Sequence, residues 1–141
     1  MDFLLTKASD RIFPSGIQEV HHTIFSRSLQ TMLRTLKRDI YNLHAPGFPI
    51  DQVKEPEPDP LATVRYSCIY WVDHLRDCGS SKNADDLQDG GAVDKFLTQK
   101  YLYWLEGLSL HRSISDGVLV MAKLEGLLQV SLKLVVLFYS L

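Results

Sequence analysis

Apolar residues recur every three to four positions in four stretches of this chain, and strict alternation is nearly absent. The first spacing is that of a helix with one buried face; the second is that of a half-buried strand. The pattern predicts an all-α fold of about four helices, in an irregular bundle or a helical-repeat-like array. The first helix follows Phe13-Pro14-Ser15-Gly16, with Ser15 as its expected N-cap. Ile17, Val20 and Ile24 open its apolar stripe, and Phe25, Leu29, Leu33, Leu36, Ile40 and Leu43 continue it. Arg27, Arg34, Lys37 and Arg38 lie away from that stripe and form a basic face. One-sided charge is what a solvated surface helix needs, and it is also where an acidic partner surface would meet the chain.

Five of the six prolines fall between residues 44 and 60. Proline removes backbone donors and biases the preceding residue to extended geometry, so this segment is expected as a Pro-rich extended strap. Asp59-Pro60 then reads as an N-cap followed by proline in the first helical position. Leu61, Val64, Cys68, Trp71, Val72 and Leu75 share a face of this second helix, and Gly79 closes it. Residues 79–91 are turn-formers and predict a hydrophilic loop. A third helix spans about Ala92 to Leu108, with Val93, Phe96, Leu97, Tyr101, Trp104, Leu105 and Leu108 on one face. A fourth opens near Ser113, where Asp116 completes a capping-box-like pair. Its expected stripe is Val118, Met121, Leu124, Leu128, Leu132 and Val135. Beyond Val130 it is apolar nearly all round, which suits a buried helix.

Two segments echo each other at an offset of 33 residues: Tyr70-Trp71-Val72-Asp73-His74-Leu75 and Tyr103-Trp104-Leu105-Glu106-Gly107-Leu108. Two copies do not make a repeat array. They read as two helices using an aromatic pair alike, the Trp turned inward and the Tyr hydroxyl reaching a polar partner. Tyr70, Trp71, Asp73, His74, Tyr103, Trp104 and Glu106, with Arg27, Arg34 and Arg38, are the candidate structural and interaction residues.

Composition excludes several function classes. Fifteen basic and seventeen acidic residues leave a net charge of −2, with no electrostatic footprint for nucleic acid. The N-terminus lacks the basic region of a signal peptide, so a reducing, cytoplasmic setting is expected and Cys68 and Cys78 are read as thiols. The last uncharged run, Leu134–Leu141, is far short of the ~20 residues that span a bilayer, so a membrane partner is not expected. Neither nucleotide-binding glycine signature occurs, and Gly90-Gly91 follows no strand. Cys68, His74 and Cys78 do not match structural zinc spacings, and the adjacent His21 and His22 point about 100° apart on a helix. No nucleophile, base and oxyanion site assembles. The chain is therefore expected to be no enzyme and to hold no metal or cofactor.

A set of longer motifs goes further than composition. Asp2-Phe3-Leu4-Leu5, Ile12-Phe13-Pro14-Ser15-Gly16-Ile17, Pro46-Gly47-Phe48-Pro49-Ile50, Pro58-Asp59-Pro60-Leu61-Ala62, the run Arg65 to Leu75 and the run from Phe96-Leu97 through Lys100 to Glu106 occur in this order. They resemble the helical region that follows the NACHT domain in fungal NLR-like (STAND) vegetative-incompatibility proteins, which usually end in WD repeats. The resemblance covers about residues 2–129. It implies a non-enzymatic connector in a signal-transduction protein of self/non-self recognition and regulated cell death, with NACHT and WD-repeat domains, or a second copy, as protein partners. The NTPase motifs of that architecture lie upstream, so no catalytic or nucleotide-binding residue carries over. It also implies a domain over residues 1–129 truncated at its N-terminus, and an unrelated apolar tail over 130–141. The alternative from the residues alone is an independent small helical adaptor that binds partners through its basic first-helix face.

Overall fold

The computed structural model describes residues 16–44 and 47–140, with side chains to residue 129. Five α-helices and no strand occur among the described residues: α1 Ile17–Thr35, α2 Arg65–Asp77, α3 Ser80–Leu87, α4 Ala92–Leu110 and α5 Ile114–Ser140. The expected N-cap Ser15 lies outside the described residues; Gly16, at φ 81°, stands at the cap position of α1.

The first helix is shorter than its apolar stripe. Leu36 turns to extended backbone, and Asp39, Asn42 and His44 all take positive φ. Asp, Asn and His are the side chains that best tolerate this region, because short polar groups can satisfy the local backbone. Asp39 does so directly, accepting from the N–H of Leu43 at 2.8 Å and of His44 at 3.1 Å. Lys100 of α4 donates to the Leu36 carbonyl at 2.8 Å, closing the end of α1. Burial nevertheless follows the stripe: Leu36 and Ile40 are in the core although helix has stopped, and Tyr41, outside the stripe, joins them.

The connection to α2 carries a 3-10 turn over Ile50–Gln52. Asp59 accepts the Leu61 N–H at 2.9 Å, but it is not the expected N-cap of α2, whose cap position is Val64. The turns it opens are wound three residues apart, Ala62 to Asp59 and Val64 to Leu61, so α-helix begins only at Arg65. Leu61, Val64, Cys68, Trp71, Val72 and Leu75 are all buried, along the face the sequence assigned. The loop expected over 79–91 instead contains α3. Its one buried side chain is Asn83, whose Nδ2 donates to the Leu75 carbonyl at 3.0 Å. Polar contacts between helices hold it, so apolar periodicity gives it no signal.

The α5 stripe differs from expectation. Val118 is 68% exposed and Leu128 lies at the surface, whereas Gly117, Val120 and Leu124 are buried. The reason is close approach: a Cβ on Gly117 would sit 2.6 Å from Leu108 Cδ1, so the glycine face is the one α5 can press onto α4. Leu132 and Val135 of the expected stripe fall among residues whose side chains are not described.

Aromatic packing centres the core. Trp71 meets Phe96 edge-on at 5.4 Å and Trp104 at 6.2 Å, with Phe25 of α1 at 6.5 Å. Such pairs contribute roughly 0.5–1.5 kcal/mol each beyond area burial. Trp104 Nε1 donates to the Cys68 carbonyl at 3.0 Å, tying α4 to α2, while the buried Trp71 indole N–H has no partner among the described residues.

Candidate interaction surfaces

The echoed aromatic pairs divide their roles. Trp71 and Trp104 are fully buried. Tyr70 is 44% exposed and packs against Tyr66 in a tilted pair with ring centroids 4.7 Å apart; Tyr103 carries Lys100 over its ring at 5.5 Å. The hydroxyl contact expected of these tyrosines is made by a different one: Tyr66 Oη lies 2.7 Å from His74 Nε2. Period alone does not distinguish Tyr66 from Tyr70, since both lie on the outer side of α2.

The acidic members serve helix packing. Asp73 accepts from Lys123 of α5 at 2.9 Å and lies 3.5 Å from Arg76. Glu106 Oε2 accepts the Asp39 N–H at 3.3 Å and so anchors the left-handed turn after α1. His74 meets His21 of α1 through the two Nδ1 atoms at 3.0 Å. Burial, and then the neighbouring His21, hold the His74 imidazolium below its ordinary range.

Arg27, Arg34, Lys37 and Arg38 are exposed and enter no ion pair among the described residues. Arg38 also stands at an open groove of about 670 Å³ between the turn after α1, the proline-rich connection and the end of α4. Leu43, Phe48, Ile50, Val53 and Leu110 supply its apolar lining, and Asp39 and Glu106 its acids. Phe48 and Ile50 are surface-exposed there. The sequence placed Phe48 and Ile50 in a strap without marking them as an apolar surface; only the fold brings them to Leu110.

A buried polar network closes the same end of the molecule. His111 Nε2 lies 3.3 Å from Asp59 Oδ2, with the His111 side chain 5% exposed. Burial pushes the Asp59 carboxyl up, but the Leu61 N–H and the neighbouring Tyr41 and His111 more than offset it, leaving it below the usual carboxylate range. Tyr41 is pushed well up, by burial first and by the nearby Asp59 next, and among the described residues its buried hydroxyl finds no partner in full hydrogen-bond geometry.

None of these arrangements combines a nucleophile, a base and an oxyanion cradle. Cys68 and Cys78 are buried free thiols, pushed by burial up to about 12 and about 11, and a thiol so placed is a poor nucleophile. Among the described residues no group of three or more His, Cys, Asp or Glu side chains could hold a metal ion. Among them, too, no helix is long and apolar enough to cross a membrane.

No protein-family profile matches the chain, and no solved structure matches it. A curated protein does. The chain is 54% identical, over 142 aligned positions, to the vegetative incompatibility protein HET-E-1 of Podospora anserina. The match takes in 90% of this chain and 10% of HET-E-1, so the chain spans about a tenth of that relative's length. An all-helical unit with a dense aromatic core is thus homologous to one segment of a fungal incompatibility protein.

Proposed function

We propose that the chain is a non-enzymatic helical connector in a fungal NLR-like signal-transduction protein, packing between a NACHT NTPase and a WD-repeat propeller and passing conformational change from one to the other. The observation that carries this reading is the identity to HET-E-1, which runs through 90% of the chain. Its surface supports docking on protein. Phe48 and Ile50 leave apolar area open at the α4 end, and Leu102, Val118 and Leu119 do so along α4 and α5. Apolar area of this kind marks sites that cover against a partner.

A segment exchange tests the proposal. The aligned segment of HET-E-1 is replaced by this chain, and the incompatibility response of the host strain is scored. The expected result is a chimera that retains the response, and loses it when Trp71 and Trp104 are both replaced by Ala. A chimera that accumulates at the normal level and is inert would overturn the connector reading.

The exposed Arg27, Arg34, Lys37 and Arg38 favour a second reading, an adaptor that binds an acidic protein surface through this face. Arg27→Glu with Arg34→Glu should then abolish capture of partners that the unmodified chain retains at low salt. Unchanged capture removes this alternative.

A further inference from the structure

The seam between α1 and α2 carries a group that neither reading uses. His21 and His74 meet at 3.0 Å between Nδ1 atoms, and their ring centroids are 5.2 Å apart. That centroid separation is close to the largest that two imidazoles with nitrogens 3.0 Å apart can have. The two Nδ1 atoms therefore face each other nearly head-on. So placed, they can hold one proton between them, one nitrogen donating and the other accepting. They cannot hold two, because two N–H groups and two positive charges would then be opposed at hydrogen-bond distance. Tyr66 engages the other nitrogen of His74, which fixes that ring in place.

We infer that His21 and His74 form a proton-operated clasp, in which one shared proton holds α1 against α2 and a second proton releases it. The charged groups around the pair are already engaged. On α2, Asp73 is held by Lys123 of α5 and by Arg76, and Asp77 by Arg76 at 3.1 Å. On α1, Glu19 is tied to Lys82 of α3, and His22 lies 2.9 Å from Asp86 of α3. Asp73 and Asp77 favour the charged form of His74, but burial and His21 outweigh them.

The sign follows from that balance. A histidine whose imidazolium is disfavoured in the folded state binds fewer protons there than in the unfolded chain. Its contribution is complete above about pH 6.5, the ordinary value, and is lost as pH falls through the lower folded value. Acid therefore loosens α1 from α2 at this seam, while the contacts of Glu19 and His22 with α3 lie outside the clasp.

Histidine NMR titration of the full chain from pH 8 to 5, with hydrogen exchange of the α1 amides, tests the clasp. His74 should titrate below the ordinary histidine range. Across that step, protection of α1 amides, corrected for intrinsic exchange, should fall about fivefold, the worth of one net hydrogen bond. His21→Gln should abolish that pH dependence, and His22→Gln should keep it. Persistence of the same loss in His21→Gln would overturn the clasp. Should His21→Gln fail to fold, the titration of the unmodified chain decides alone: a His74 that titrates at the ordinary histidine value overturns it.

Discussion

Two glycines of α5 make a matched experiment on how that helix docks. Gly117 and Gly126 both lie within the helix, and in each a change to Ala brings the same intrinsic gain, up to about 1 kcal/mol. Their surroundings differ. A Cβ at Gly126 meets nothing within 4 Å, so Gly126→Ala should stabilise by about 0.5–1 kcal/mol. A Cβ at Gly117 would lie 2.6 Å from Leu108 Cδ1, and Leu108 is 1% exposed, so that side chain has no free space to enter. Overpacking of this kind costs about 1–3 kcal/mol. The net effect of Gly117→Ala is then a loss of about 0–2 kcal/mol, and the two variants should differ by about 1–3 kcal/mol. For a chain of this length each kcal/mol moves the midpoint by roughly 3–4 °C, so thermal melts followed by far-UV circular dichroism resolve the pair. If Gly117→Ala melts as high as Gly126→Ala, α5 does not press its glycine face onto α4, and the account of its exposed Val118 fails with it.

Trp104→Phe removes both volume and the bond to the Cys68 carbonyl, whereas Trp71→Phe removes volume and an unpartnered buried N–H. Urea midpoints should show the Trp104 variant less stable by about 1 kcal/mol, the worth of a net hydrogen bond. Gly91→Ala sets a Cβ against the carbonyl oxygens of Asp85, Asp86 and Gln88, backbone atoms that cannot swing aside. It should cost at least about 1–3 kcal/mol in the same assay and detach α3 first, seen as lost protection of the α3 amides. Phe48→Ser with Ile50→Ser should reduce binding of the dye ANS while leaving the melting midpoint within about 2 °C, as expected of surface positions.

Much of the core was legible because burial depends on spacing more than on backbone form. Leu36 and Ile40 are buried as the stripe required, although α1 has already ended. What spacing did not carry was the stop itself, which rests on Asp39, Asn42 and His44 adopting a conformation that only local hydrogen bonding rewards. In α3 the anchor is an amide, Asn83, reaching a carbonyl of another helix, a tertiary bond without a sequence period. For α5 the error lay in counting apolar side chains on a helix whose contact is set by the absence of one at Gly117. Of the candidate surface, the exposed arginines were readable from the pattern. The groove was not, because Phe48 and Ile50 meet Leu110 across 60 residues of chain.

The two buried thiols supply a clock for the molecule's own motions. Cys68 sits beneath the Trp104 bond at the centre of the helix stack, and Cys78 at the corner where α2 passes into α3. Each is walled off and holds its proton firmly at neutral pH, so a thiol reagent can tag it only while its surroundings stand open. Tagging of Cys68 then times the parting of the whole stack, and tagging of Cys78 times the lifting of one corner. The ratio of the two rates is a single number for how far this small chain behaves as one cooperative body.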